Sequence, residues 1–182
     1  SSEWASGYPA ATGIGTQHGG ILVDFNAVKG GIEIIPLDND WQRAAHVYSD
    51  EVLISHRTDA EKGTPKFERG KSLSDRQREM IYISGTAAIR GEESIVTGDV
   101  LVQTEITLEN IQHLIGLEEG REKLPEHSGK LELLRVYLKH EEDAKIVKED
   151  MDKLCPDVPI VYLYADVCRE ELLVEIEGIA YL

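Results

Sequence analysis

Apolar and polar positions alternate over Ile21–Val28. Ile21, Val23, Phe25 and Ala27 fall on one side and Leu22, Asp24 and Asn26 on the other, which predicts a strand with one buried face. A second short strand is predicted over Ile32–Ile35, ended by Pro36. Residues 38–48 (DNDWQRAAHVY) fit a capped helix or an extended passage equally, because their periodicity favours neither, and Val52–Ile54 is a brief apolar island. Residues 55–66 are polar and carry Gly63 and Pro65, so an exposed connection is expected there.

Beyond that connection the pattern becomes regular. Phe67–Leu73 and Glu79–Ala88 read as strands joined by a polar turn at Ser74–Gln77. Asp99–Gly116 reads as a helix, with Leu101, Thr104, Leu108, Ile111 and Ile115 at three- and four-residue spacing and Asp99 placed to cap the free amides. Leu131–Leu138 is apolar on both faces and predicts a central strand. Glu141–Cys155 reads as a second amphipathic helix, with Ala144, Val147, Met151 and Leu154 inward, stopped by Pro156 and Pro159. Ile160–Val167 and Leu172–Leu182 are the last strands, joined by Cys168–Glu171. The order from Phe67 is β-β-α-β-α-β-β, an α+β unit in which two helices cover one face of a mixed sheet. The other face then needs another copy or another domain to cover it.

Leu22–Val28 superposes without gaps on Leu173–Ile179. With the missing initiator methionine, this similarity predicts that residues 7–30 are the terminal hairpin of a preceding, similar domain. The expected division is a partial β-rich subdomain and linker over residues 1–60 and a second domain over 61–182.

Charge narrows the partners. The 182 residues include 34 acidic and 19 basic ones, a formal charge of −15, and no basic cluster stands out, so nucleic acid is not expected as a partner. No run of 18 apolar residues occurs, and SSEWASGYPAATG lacks the basic and apolar regions of a signal peptide, so neither a membrane span nor secretion is expected. Two cysteines without metal-ligand spacing suit free thiols in the cytoplasm, and the six histidines form no HxH or HExxH, so no metal is expected. Residues 7–20 (GYPAATGIGTQHGG) are rich in small residues; Gly13 and Gly15 lack the helix that a phosphate loop opens, and a tight connection between strands is the expectation.

Ile83-Ser84-Gly85-Thr86-Ala87, Gly98-Asp99, Gln103-Thr104, Leu108-Glu109-Asn110-Ile111, Val136-Tyr137-Leu138 and the run Val174–Ala180 together resemble the YjgF/RidA superfamily over residues 67–182. The resemblance implies a chorismate-mutase-like α+β fold that commonly forms homotrimers, with small-molecule sites in the clefts between subunits. Within it the chain looks most like the chorismatase branch, on Ser84–Ile89 with Gly91, Glu93 and Ser94, on Cys168-Arg169 before Leu172–Glu177, and on Pro65, Phe67 and Arg69 preceded by Gln42, Ala45, Tyr48 and Ser49. That branch implies a hydrolase or lyase acting on chorismate or a similar small cyclic dicarboxylate, releasing pyruvate without a cofactor. The chain has Glu92 where the branch usually has histidine, and Trp41 and His46 where it tends to have arginine and tyrosine.

The resemblance also assigns residues. Glu175 is the candidate catalytic acid, since vinyl-ether hydrolysis needs a group to protonate carbon and a carboxyl facing an apolar cleft is suited to it. Glu177 points to the same face, as a second site residue or as surface. Thr86, Ala87 and Ala88 lie in the loop Gly85–Gly91, one expected wall of the cleft; Glu175 and Cys168 form the other, with Cys168 shaping the product or simply a buried thiol at a turn. Arg69 and Arg90 are candidates for binding the two carboxylates, Arg90 fitting a surface loop arginine as well. Gln103 would hydrogen-bond a ligand or the neighbouring loop. Ser84 and Thr86 have no histidine base defined beside them and are not read as nucleophiles. The alternatives are a non-catalytic small-molecule-binding trimer, an enamine/imine deaminase, and the superfamily's endoribonuclease or translation-inhibitor label. Ile160–Val167 lacks the carboxylate-anchoring arginine of the deaminases.

Overall fold

The computed structural model describes residues 7–17, 19–53, 63–116 and 130–182. Its elements are β1 (Glu33–Leu37), β2 (Gly70–Ser74), β3 (Glu79–Thr86), β4 (Ile89–Arg90), β5 (Glu93–Ser94), α1 (Val100–Ile115), β6 (Lys130–Leu138), α2 (Ala144–Leu154), β7 (Ile160–Tyr164) and β8 (Val174–Tyr181). Six strands form one sheet in the order β1-β2-β3-β8-β6-β7, and β4 with β5 forms a separate small hairpin. Among the paired strands of the described residues, only β6 and β7 run parallel. They are joined through α2, the crossover that a parallel pair requires.

Strand alternation puts Ile81 and Ile83 of β3, Leu134, Val136 and Leu138 of β6, and Val174 and Ile176 of β8 into one core with Leu108, Ile111 and Ile115 of α1 and Val147 and Met151 of α2. Both helices therefore cover the same face, as the alternation predicts. At the end of α2 the pattern slips by one residue: Cys155 enters the core and Leu154 is exposed, because the chain leaves helical geometry at Cys155. β6 lies inside the sheet, yet its second face is half-exposed, since among the described residues no helix covers the outer side of the sheet.

Asp99 caps α1 as its position predicts, its Oδ1 accepting from the Leu101 and Val102 amides at 2.9 and 3.4 Å. Gly116 ends the helix at φ 78°, which a side chain would resist. Asp99→Ala is expected to lower stability by about 1 kcal/mol, read as a drop of a few degrees in thermal melting with the rest of the fold intact.

Three expectations fail for identifiable reasons. Pro36 does not end β1, because on a sheet edge the ladder runs through a residue without an N–H and pairs it with Lys71. Residues 38–48 are neither an extended strand nor a capped α-helix; they form a turn and a short 3-10 segment at Ala45–Val47. Ile21–Val28 forms no strand, with Ile21 94% and Phe25 78% exposed, since an alternating segment needs a sheet neighbour and finds none among the described residues. The boundary expected at residue 60 lies outside the described residues. Among the described residues no helix is long and apolar enough to cross a membrane.

Candidate active site

The site grows from an irregularity in the sheet. Ile83 faces Gly178 and Thr86 faces Ile176, so three steps along β3 match two along β8. The surplus residue makes a bulge at Ser84 and Gly85, and such bulges re-aim neighbouring side chains. Gly85 there lies so close to Glu175 of β8 that a Cβ on it would stand 2.0 Å from the Glu175 Oε1.

Glu175 is only 5% exposed. Burial pushes its carboxyl up to about 7; the neighbouring charge of Glu177 adds to the rise and Arg69 offsets part of it. A carboxylic acid that keeps its proton near neutral pH is a donor suited to general acid chemistry. Arg69, just before β2, is 3% exposed. Its Nη2 donates to the Arg43 carbonyl at 2.7 Å and to the Tyr48 hydroxyl, and its guanidinium lies 5.5 Å from both the Tyr48 and Phe67 rings. Its Nε is buried and finds no hydrogen-bond partner among the described residues. A buried guanidinium N–H left open in this way matches one arm of a carboxylate.

Cys168 lies in the loop leading into β8. The residue is exposed, not the buried thiol expected at this turn; desolvation of its sulfur pushes the thiol up to about 11, and the charge of Glu175 adds to this, so the thiol stays neutral at physiological pH. That suits a pocket wall and not a nucleophile. Arg169 follows it, buried, with its Nη1 donating to the Glu92 carbonyl at 2.8 Å and to Ser94 Oγ at 3.0 Å. Its guanidinium also lies 5.5 Å from the Tyr48 ring, so one tyrosine is flanked by two buried arginines.

The remaining predicted residues separate. Thr86, Ala87 and Ala88 are buried, Thr86 against the bulge through its bond to the Ser84 carbonyl at 3.2 Å, and the two alanines in a small cluster with Ile89, Val167 and Leu172. Glu177 is committed to Arg135 at 2.6 Å and to the Tyr137 hydroxyl at 2.8 Å, which leaves its charge to act on Glu175. Gln103 spans to the loop before β8, donating to the Glu171 carbonyl at 3.0 Å and accepting from the Leu173 N–H at 2.8 Å. Arg90 is held elsewhere: it pairs with Glu109 at 2.6 Å, bonds Asn110, and lies 4.8 Å from the Trp41 ring.

Glu92 is a brace. It accepts from the Ser49 hydroxyl at 2.6 Å and amide at 2.8 Å, which chiefly hold its carboxyl below the usual range, and Arg43 and Arg169 add their attraction. Sequence reasoning did not single out Arg169, or Thr12, whose Oγ1 accepts the Gly85 N–H of the bulge at 2.9 Å. Arg169 adjoins the quoted Cys168, whereas Thr12 sits in a stretch that reads only as a turn.

Comparison with known proteins gives similarity of sequence and of fold. No family model matches the chain. A chorismatase of Streptomyces rapamycinicus is 35% identical over 179 residues, covering 94% of this chain and 50% of the relative. A 3-hydroxybenzoate synthase of Streptomyces hygroscopicus is 34% identical over 185 residues, again covering 94% of this chain and 50% of the relative. The chain thus spans about half the length of the curated relatives it matches. A chorismatase crystal structure superposes with a TM-score of 0.70 at 28% identity, over 94% of this chain and 50% of that one. An Entamoeba histolytica protein described as a candidate endoribonuclease L-PSP superposes at 0.54 with 12% identity, over 82% of this chain and all of that one, a likeness of fold alone.

Proposed function

From a chain homologous to chorismatases over 94% of its length, with a buried, high-pKa carboxyl beside a buried arginine, we propose a hydrolase or lyase acting on chorismate or a similar small cyclic dicarboxylate. The observation that carries this reading is Glu175, held as a protonated acid against the β3 bulge. In the proposed reaction Glu175 gives its proton to the terminal methylene carbon of the enolpyruvyl ether. Water adds to the resulting oxocarbenium carbon and returns its proton to the Glu175 carboxylate. The hemiketal then breaks its bond to the ether oxygen on the ring, which takes the hemiketal hydroxyl proton and leaves as a ring hydroxyl, while the remaining oxygen forms the keto group of the released pyruvate.

Arg69 would receive one substrate carboxylate on its open Nε. Arg169 is better placed than Arg90 for the second, because it shares the Tyr48 ring with Arg69 while Arg90 is engaged by Glu109 and Asn110. The neutral thiol of Cys168 supports a role in shaping the product. The exposure of the apolar residues at 21–28 supports the reading of that segment as part of the terminal hairpin of a preceding, similar domain, whose own sheet would bury them. The outer face of the sheet, which no helix of the described residues covers and on which Tyr82, Ile179 and Tyr181 are half-buried, supports assembly as a homotrimer. Two free cysteines support a cytoplasmic setting.

Incubation with chorismate and enzymatic detection of pyruvate tests the reading. Release is expected to fall as pH rises through about 7, where Glu175 loses its proton. Arg69→Ala is expected to raise KM at least tenfold, the loss of about one charge-assisted bond. Absence of pyruvate would leave a non-catalytic binding protein as the better description.

A further inference from the structure

Residues 7–15 cross the mouth of the site without forming a strand, and they are tied down along their length. At one end the Tyr8 N–H donates to Glu68 Oε1 at 2.8 Å and the Pro9 carbonyl accepts from the Glu68 N–H at 2.9 Å. In the middle the Ala11 N–H donates to Ser84 Oγ at 3.0 Å, and Thr12 Oγ1 accepts the Gly85 N–H at 2.9 Å. At the far end Gly15 and Asp166 exchange both backbone bonds, at 2.9 and 3.1 Å. Their approach is so close that a Cβ on Gly15 would stand 2.8 Å from that of Asp166. The segment is a strap running from the start of β2 to the end of β7, over the bulge that faces Glu175.

Thr12 is the part of this strap that reaches the carboxyl. The point where a Cβ on Gly85 would stand is 2.0 Å from Glu175 Oε1 and 2.7 Å from Thr12 Cγ2. Methyl and carboxyl thus crowd one spot, while the hydroxyl of the same residue satisfies the Gly85 N–H, a donor freed by the bulge. We propose that Thr12 is a positioning residue for Glu175, its hydroxyl pinning the strap to the bulge so that the strap closes a dry slot around the acid. This rests on the reading of Glu175 as the proton donor. The charged and titratable groups facing Glu175 are Glu177 on its own strand, Arg69 ahead of β2 and Cys168 in the preceding loop. Thr12 adds no charge, so its effect is exclusion of water.

The test is a carboxyl-carbon NMR titration of Glu175, run with the pH dependence of pyruvate release on the same full-length protein. In Thr12→Ala the Glu175 midpoint is expected to fall by about one unit as water enters the slot. The alkaline limb of the rate profile should move with it, a loss of about tenfold at pH 8. Thr12→Ser keeps the hydroxyl, and the expected result is recovery of most of the shift, which a loss of general stability would not show. An unchanged midpoint in Thr12→Ala overturns the proposal, as does a serine variant no closer to wild type than alanine; should the alanine variant not fold, Thr12→Val, which also lacks the hydroxyl that accepts the Gly85 N–H, takes its place and an unchanged midpoint there overturns it. A wild-type protein that releases no pyruvate, with the midpoint still shifted by Thr12→Ala, removes the chorismate reading and leaves the positioning of Glu175 standing.

Discussion

Glu175→Gln is expected to reduce pyruvate release by about 10²–10⁴-fold, the usual contribution of a positioned general acid, with KM little changed. Glutamine keeps the shape of the side chain and its neutral charge, and removes only the transferable proton. The same variant carries a stability signature. The Glu175 carboxyl titrates at about 7 in the folded chain against an ordinary value of 4.5. Between those values the folded state holds the proton more tightly than the unfolded one, so this contribution is full below 4.5 and lost as pH rises through about 7. The rise corresponds to about 3 kcal/mol of destabilisation at alkaline pH. Glutamine has no such proton to lose, so Glu175→Gln should melt several degrees above wild type at pH 8.5 and close to it at pH 4. Retained turnover would remove Glu175 from the acid role. A melting difference independent of pH would remove its buried, protonated state.

Gly85→Ala is expected to have the second largest effect. The glycine is required by space and not by backbone angle: its φ is not positive, but an added methyl would stand 2.0 Å from Glu175 Oε1 and 2.7 Å from Thr12 Cγ2. Neither neighbour is a free end in solvent, since Glu175 is buried and Thr12 is bonded to the Gly85 N–H. Overpacking of this kind costs about 1–3 kcal/mol. Activity should suffer more, by about 10²-fold, because the acid itself must shift by about an ångström or more. A folded Gly85→Ala protein with wild-type kcat would show that the carboxyl has room to move and that the bulge does not position it.

Much of the fold was legible because it depends on local pattern. The three- and four-residue spacing of α1, its cap at Asp99 and stop at Gly116, and the alternation of β3, β6 and β8 each report a local constraint, and each forms close to its predicted place. Ile21–Val28 shows the limit of that logic. Alternation states that one face wants burial, and it does not supply the neighbour that would bury it. Pro36 shows a second limit, because whether proline interrupts a strand depends on whether that strand lies at an edge, which is a property of the sheet.

By itself, then, the sequence determined the element order, the single helix-covered face, the acidic charge that disfavours polyanions, and, through its resemblance to chorismatases, Glu175, Arg69 and Cys168 as residues to watch. Only the tertiary structure decided which of them meet. It paired Arg90 of β4 with Glu109 of α1 and brought Arg169 to Tyr48 instead. It turned Glu177 toward Arg135 and laid Thr12 against Gly85, 73 residues away in the chain. The physical reason is that acidity and contact depend on burial and on long-range approach. A bulge in β3 and a strap from the N-terminal side together exclude water from Glu175, and no spacing within either segment records the other.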